Sequence, residues 1–175
     1  GLNDEGYVNS SMRRNAKAVN FGILYGISSF GLSEDLGINF KEAKSFIDNY
    51  LKTYPGIKSY MDDIKRSAYE NGFVSTLFGR RRKLDEIKSS NFMVRTSGER
   101  MALNTPIQGT AADILKIAMI NIYNEFNKRG LRAKIIIQVH DELLIDCPSD
   151  EVSEVIEIVR DKMENSYKLS VPLKV

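Results

Sequence analysis

The stretch that says most about the fold lies near the amino end and reads MRRNAKAVNFGILYG over residues 12–26. It predicts a helix over about 12–25, with Ser10 and Ser11 as candidate N-caps, because a serine hydroxyl accepts hydrogen bonds from free backbone N–H groups at a helix start. Two cations and two aromatic rings recur at every fourth position, which places them along one slowly turning face of the helix. These four residues are Arg13, Lys17, Phe21 and Tyr25.

The chemistry of this face suits a nucleoside triphosphate lying along the helix. Arginine and lysine bind phosphate oxygens, flat rings support a sugar or base, and the positive end of the helix dipole lies beside the cations. The same periodicity fits a helix whose rings belong to the core and whose cations are solvated. Gly22 and Gly26 each cost roughly 1 kcal/mol relative to alanine in a helix interior, so we expect something to approach the backbone closely there.

Hydrophobic periodicity predicts four more helices downstream. One helix covers about 43–54, and another starts at Pro55, a residue suited to the first turn, and ends at residues 71–72. The longest helix is predicted to start at Thr105-Pro106 and to cover about 24 residues. An acidic amphipathic helix follows, with Ser149 as its N-cap.

Short apolar runs bounded by turn residues predict two hairpins and a final strand. The first hairpin covers about 73–84 and has a basic tip, Gly79-Arg80-Arg81, whose partner we expect to be an anion. In the second, strands at 135–139 and 143–145 flank a polar turn, and a last strand is predicted at 171–175. Helices together with antiparallel strands give an α+β fold class.

Composition places the chain among soluble globular proteins. It has 175 residues, of which 42% are hydrophobic and 27% charged, enough for one core or two small lobes. Its apolar runs fall short of the roughly 18 residues of a membrane span, and its opening residues do not form a secretory signal. A single cysteine and a single histidine exclude an intramolecular disulfide and a Cys/His zinc cluster, which indicates a reducing compartment.

Charge is distributed unevenly along the chain. Residues 141–175 hold nine acids and four bases, a net charge of −5, so the overall +2 leaves +7 on residues 1–140. Clusters of bases at 13–17 and 80–83 suit a polyanion such as nucleic acid, although solvated surface charge would give the same pattern. Since the sequence starts on Gly1 and stops inside an apolar run, we also expect it to be a piece of a longer protein.

The turn His140-Asp141-Glu142 would present a carboxylate on a rigid support. Mg²⁺ takes oxygen ligands and often keeps substrate phosphates in its shell, so Asp141 is a candidate metal ligand. An ordinary exposed acidic turn would look the same. Two-metal phosphoryl transfer also needs a second carboxylate, and no residue of this chain is obviously placed to supply it.

Three long polar side chains, Arg100, Asn104 and Gln108, recur every four residues at the predicted start of the longest helix. At that spacing they could reach the purine N3 and pyrimidine O2 acceptors of a DNA minor groove. Helix capping by Asn104 and simple solvation of Gln108 explain them equally well.

Taken together, these segments resemble the DNA polymerases of family A, the DNA polymerase I family. Residues 12–26 resemble the family's motif B, and Val-His-Asp-Glu at 139–142 resembles its motif C. Residues 76–82, 87–91 and 99–113 are also similar to that family in order and approximate spacing. The resemblance covers nearly the whole chain, and motif B at this length is specific.

The resemblance implies a fingers subdomain over residues 1–103, with the nucleotide-binding helix at about 12–25 and the basic hairpin at about 73–84. It implies a partial palm over 104–175, made of the long helix, the motif C hairpin, the acidic helix and a truncated last strand. The first helix would be the mobile element that closes over the incoming nucleotide.

The resemblance also implies a role for each candidate residue. Arg13 and Lys17 would bind the triphosphate, with Lys17 counted as catalytic, Phe21 would lie against the sugar and Tyr25 at the templating position. The remaining roles fall to the motif C turn and the long helix: Asp141 as a ligand of the catalytic Mg²⁺ ions, Glu142 as an auxiliary carboxylate, His140 beside the primer terminus, and Arg100, Asn104 and Gln108 in the primer-template minor groove.

The implied activity is template-directed nucleotidyl transfer, in which a primer 3′-hydroxyl attacks the α-phosphate with two Mg²⁺ ions. The family's motif A, which provides the other metal-binding aspartate, is not found in this sequence, so we expect the isolated chain to be inactive. The implied partners are primer-template DNA and deoxynucleoside triphosphates, without a membrane, in a monomeric parent of the bacterial cytoplasm and nucleoid. A non-catalytic nucleic-acid or nucleotide-binding module, or a helical interaction domain, stays an alternative.

Overall fold

The computed structural model describes residues 8–175, which form two units, one up to Ile107 and one from Gln108 to Val175. Within the described part, the first unit contains α1 (Ser10–Leu24), α2 (Ser29–Leu36), α3 (Phe40–Thr53), α4 (Pro55–Asn71), β1 (Phe73–Ser75), β2 (Arg81–Lys83) and a 3₁₀ turn (Asp85–Lys88). Helix α5 (Phe92–Arg129) begins in the first unit and ends in the second, which also contains β3 (Lys134–Val139), β4 (Glu142–Asp146) and α6 (Val152–Glu164). The predicted α+β class is confirmed: a mostly helical chain with two antiparallel two-stranded sheets.

Helix α1 forms where the sequence predicted a helix, but its cap differs. Asn9 is the N-cap, and its Oδ1 accepts a hydrogen bond from the backbone N–H of Met12 at 2.8 Å. The prediction that Ser10 or Ser11 caps the helix was wrong. Asparagine caps a helix as well as serine does, and because Asn9 precedes both serines, Ser10 and Ser11 lie in the first turn. The helix ends at Tyr25, its C-cap, followed by Gly26 with φ 75°.

Helix α2 was not predicted from the sequence. Ser28 starts this helix, since its hydroxyl accepts from the backbone N–H of Gly31 at 3.1 Å. Helix α3 has a capping box between Asn39 and Glu42. The predicted start of α4 at Pro55 is confirmed.

Helix α5 starts at Phe92, so the prediction that Thr105-Pro106 opens the longest helix was wrong. Asn91 caps the true start, with its Oδ1 accepting from the backbone N–H of Met93 at 2.9 Å. Pro106 lies inside the helix, where it removes one backbone N–H donor. Next to it the Thr105 hydroxyl donates to the Met101 carbonyl at 2.7 Å, a local bond that helices tolerate.

The core of the first unit lies where α4, the β1–β2 hairpin, the 3₁₀ turn and α5 meet. Its buried residues are Ala68, Val74, Leu84, Ile87 and Ala102. Gly98 of α5 lies so close to the 3₁₀ turn that a Cβ at this position would be 2.9 Å from the backbone nitrogen of Ile87 and 3.1 Å from the carbonyl carbon of Glu86. The packing of α5 on the turn therefore requires glycine at position 98.

We expect Gly98→Ala to lower the free energy of unfolding of the chain by about 1–3 kcal/mol, because the added methyl group meets backbone atoms that cannot rotate away. Gly56→Ala is the matched control, since Gly56 is also helical and has no atom within 4 Å of its Cβ position. It should be neutral or stabilising by up to about 1 kcal/mol. Denaturant unfolding measures both, and equal stability of the two variants would contradict the close packing.

In the second unit, β3 and β4 pair in antiparallel register from Lys134↔Asp146 to Val139↔Glu142, with an irregularity between Ile135 and Ile137. One face of this hairpin packs with α5 and α6 around the buried cluster Ile122, Phe126, Ala133, Val155 and Ile158. The hairpin prediction is confirmed, and its turn is fixed to residues 140 and 141.

Two predictions for the carboxyl end of the chain were wrong. Ser149 does not cap α6, because Glu151 occupies the N-cap position and its carboxylate accepts backbone N–H bonds from Arg132 and Ala133, at 3.0 and 3.1 Å from Oε2. Residues 171–175 form no strand, since no strand within residues 8–175 pairs with them, and the backbone N–H of Val175 donates instead to Glu164 at 3.2 Å. None of the described helices is both long enough and apolar enough to span a membrane.

Candidate functional site

Helix α1 presents its two candidate phosphate ligands to solvent. The side chains of Arg13 and Lys17 are exposed, and neither side chain forms a hydrogen bond or ion pair with another described residue. Phe21 keeps 50% of its surface exposed and stacks on Tyr25, with ring centroids 6.1 Å apart and planes 24° apart. Phe21 is therefore not part of the core of its unit, and the helix offers unpaired cations followed by a ring surface.

The two glycines of this segment are closely approached, as predicted, but by side chains of the chain itself. A Cβ on Gly22 would lie 3.1 Å from Ile27 Cγ2. A Cβ on Gly26 would lie 2.9 Å from Leu103 Cδ1, and the positive φ of Gly26 also favours glycine. The carboxyl end of α1 is thus packed directly on α5.

The three polar residues of α5 have different surroundings. Arg100 donates from Nε to the Gly26 carbonyl at 3.2 Å, and its other guanidinium N–H groups have no partner among the described residues. Asn104 lies inside the helix rather than at a cap, and its buried Oδ1 accepts no hydrogen bond within the described chain. An unpaired buried acceptor costs about 1–3 kcal/mol, so this oxygen lowers the stability of the unit unless it gains a partner. Gln108 is exposed and begins the second unit.

The β3–β4 turn brings His140, Asp141 and Glu142 together at its tip. His140 has φ 53°, as a two-residue hairpin turn requires, and the Gln138 amide braces the turn by donating to the His140 carbonyl at 2.9 Å. All three side chains are exposed and make no hydrogen bond or ion pair with another described residue. The tip therefore offers two free carboxylates.

These carboxylates have the oxygen donors that Mg²⁺ prefers, and they fit part of a magnesium shell. Within residues 8–175, no group of three or more His, Cys, Asp or Glu side chains is arranged to hold a metal ion. Asp141 is thus the candidate ligand, with Glu142 as a neighbouring carboxylate, and the described residues do not complete a metal shell by themselves.

The predicted basic hairpin forms, with Phe73 opposite Lys83 and Ser75 opposite Arg81. Its loop covers residues 76–80, so Arg81 belongs to β2 rather than to the tip. The Arg81 guanidinium lies 4.5 Å from the centre of the Phe73 ring, and Arg82 contacts the Met101 sulfur at 3.0 Å. Both cations are exposed, and these contacts fix their positions on the surface.

Sequence reasoning missed a network beside Arg100. Glu99 of α5 accepts a hydrogen bond from the Tyr69 hydroxyl at 2.7 Å and forms an ion pair with Lys65 Nζ at 3.0 Å. Partial burial raises the pKa of the Glu99 carboxyl, but the bonds from Tyr69 and Lys65 outweigh burial and hold that pKa below its usual value. Tyr69 and Lys65 lie 30 and 34 positions before Glu99 in the sequence, so no local pattern could have shown these contacts.

Comparison with known proteins gives a consistent result. A sequence profile of DNA polymerase family A matches residues 3–175. The chain is 52% identical over 168 residues to DNA polymerase I of Lactococcus lactis subsp. lactis and 51% identical over 173 residues to DNA polymerase I of Streptococcus pneumoniae. These alignments cover 96% and 99% of this chain but 19% and 20% of the relatives, so the chain spans about a fifth of their length.

A solved structure is also similar. It is the POL domain of Pol1 from M. smegmatis, in complex with DNA primer-template and dNTP. The match has a TM-score of 0.91 at 45% sequence identity and covers 95% of this chain and 30% of that chain.

Proposed function

This chain belongs to DNA polymerase family A, and from that membership we propose that it forms the fingers and part of the palm of a DNA-directed DNA polymerase. The fingers would comprise residues 1–103 and the partial palm residues 104–175. The complete enzyme would add deoxynucleotides to a primer 3′-hydroxyl as directed by a template. It would be a monomeric protein of the bacterial cytoplasm.

The observation that carries this proposal is the exposed face of α1. Arg13 and Lys17 are unpaired cations, and the rings of Phe21 and Tyr25 follow them on the same helix. A charged side chain that forms no hydrogen bond with a neighbouring residue can bind phosphate oxygens, and a half-exposed ring can contact a sugar or base. The incoming nucleoside triphosphate is the ligand that combines these groups.

The second support is the motif C turn. Asp141, with Glu142 as an auxiliary carboxylate, would hold Mg²⁺, which when bound stabilises the attacking and leaving oxygens of phosphoryl transfer. His140 would lie beside the primer terminus. Arg100, Asn104 and Gln108 would contact the primer-template minor groove, where the free N–H groups of Arg100 can donate to base acceptors.

Primer extension tests the proposal. The full-length polymerase should extend a primed template with Mg²⁺ and deoxynucleotides, and the isolated 175-residue chain should not, because two-metal catalysis needs a second aspartate from outside it. A full-length protein that binds DNA or nucleotides without extension would favour the non-catalytic binding module. Template-dependent extension by the isolated chain would contradict the proposed division of the metal site.

We expect Phe21→Tyr in the full-length polymerase to raise the use of dideoxynucleotides relative to deoxynucleotides roughly tenfold to a hundredfold. A dideoxynucleotide lacks the 3′-hydroxyl and leaves polar groups unpaired, and a tyrosine hydroxyl beside the sugar can fill that gap. The measurement is the ratio of kcat/KM for the two substrates.

Phe46→Tyr is the matched control, because Phe46 on α3 is 51% exposed and the change adds the same hydroxyl. It should leave the substrate ratio unchanged. If Phe21→Tyr also leaves the ratio unchanged, the sugar contact of Phe21 is wrong.

A further inference from the structure

Three successive residues of α5 contact three different elements of the first unit. Neighbouring residues of a helix point about 100° apart, so three successive side-chain positions can contact three different parts of the unit. Gly98 lies against the 3₁₀ turn, Glu99 bonds to α4, and Arg100 bonds to the Gly26 carbonyl just after α1. This segment therefore connects the core of the unit to the end of the nucleotide-binding helix.

The Glu99 contacts differ from an ordinary surface ion pair. The Lys65 and Glu99 side chains are 34% and 27% exposed and belong to different helices. The pair Lys58–Asp62, by contrast, joins two residues of α4 that are each about 60% exposed, and such pairs contribute little. The Tyr69 hydroxyl adds a second bond to the same carboxylate at 2.7 Å. Two bonds from one helix thus hold Glu99 in one orientation.

We propose that Glu99, held by Lys65 and Tyr69, is a positioning residue that fixes Arg100 on the Gly26 carbonyl and so sets the carboxyl end of α1 in the polymerase reaction. The role in the reaction rests on the proposed function. The Arg100 bond is 3.2 Å long, near the limit of a hydrogen bond, so a small rotation of α5 would break it. Release of Gly26 would loosen the adjacent Phe21–Tyr25 stack.

Two backbone hydrogen bonds report directly on this position. The Gly26 amide donates to the Ile23 carbonyl at 2.9 Å, and the Ile27 amide donates to the Gly22 carbonyl at 2.8 Å. Hydrogen exchange of residues 21–30 in the full-length polymerase should be several-fold faster in Glu99→Gln than in the unchanged protein. Tyr69→Phe, which removes only one hydroxyl, should have a smaller effect in the same direction.

Asp48→Asn is the matched control, because it removes the same charge from the exposed ion pair Lys44–Asp48, which lies on α3 and does not involve Lys65. It should leave exchange at residues 21–30 unchanged. The hydrogen-exchange measurement needs neither DNA nor nucleotide, so it tests the positioning role of Glu99 even if the protein extends no primer. Exchange in Glu99→Gln equal to that of the unchanged protein would overturn the proposal.

Kinetics test the consequence for the reaction. Glu99→Gln should raise KM for the correct nucleotide about three- to tenfold and change kcat less than about twofold, since it alters a position rather than a reacting group. In an Arg100→Ala background the same change should add almost nothing, because both act through one contact. If the effects of Glu99→Gln and Arg100→Ala on KM are fully additive, Glu99 does not act through Arg100 and the proposal is overturned. Absence of primer extension by the unchanged protein would instead refute the proposed function.

Discussion

Asp141→Asn in the proposed full-length polymerase should lower the rate of primer extension on the order of a thousandfold. A bound metal ion contributes several kcal/mol to stabilising transition-state charge, and each 1.36 kcal/mol is a factor of ten in rate. Asparagine keeps the size of the side chain but removes the negative charge that holds the cation. DNA affinity should stay within about twofold, because the groove contacts come from other residues. Single-turnover extension and DNA-binding titrations measure the two effects.

Asp146→Asn provides the control for this prediction. Asp146 lies at the other end of the same hairpin, opposite Lys134, and is also exposed. It loses the same charge from β4 without touching the turn, so extension should remain near that of the unchanged enzyme. Near-normal extension by Asp141→Asn would show that the motif C assignment is wrong.

Lys17→Ala should lower kcat/KM for the incoming nucleotide about tenfold to a hundredfold. A hydrogen bond to a charged group contributes about 1.5–3 kcal/mol, and the contact strengthens as charge develops during transfer. Lys17 has no partner within the described chain, so its removal leaves no neighbouring charge unpaired and leaves stability nearly unchanged. Nucleotide-dependent single-turnover kinetics measure the effect.

Lys41→Ala is a suitable comparison, because Lys41 is an exposed lysine in the first turn of α3. Its loss should leave nucleotide kinetics unchanged at the same ionic strength. If the two variants behave alike, Lys17 is an ordinary solvated cation.

The types of most elements could be predicted because their signals are local. Pro55 started a helix as expected, and both hairpins formed where apolar runs flanked polar turns. Helix starts were predicted less well, because several polar residues compete for each cap. Asn9 and Asn91 are the capping residues in the structure. Helix α5 also continues through Pro106, where the sequence predicted a helix start.

For the candidate site, sequence could assign residues to elements but could not give their tertiary contacts. Phe21 and Tyr25 stack as neighbours one turn apart, which helical spacing allows. The bond of Arg100 to Gly26 spans 74 positions, and the close approach of Gly98 to Ile87 involves backbone atoms. Such contacts depend on how the helices pack, which periodicity does not specify. The functional roles of the site residues stay predictions.

The backbone at the tip of the β3–β4 turn favours a small set of residue types. Position 140 has φ 53°, a backbone conformation in which β-branched side chains are strained but glycine, asparagine and aspartate are accommodated. Drift from histidine to one of those residues would keep the turn, and with it the placement of Asp141, while removing the imidazole. Descendants of this sequence can therefore inherit the shape of the turn and lose one of its chemical groups in a single step.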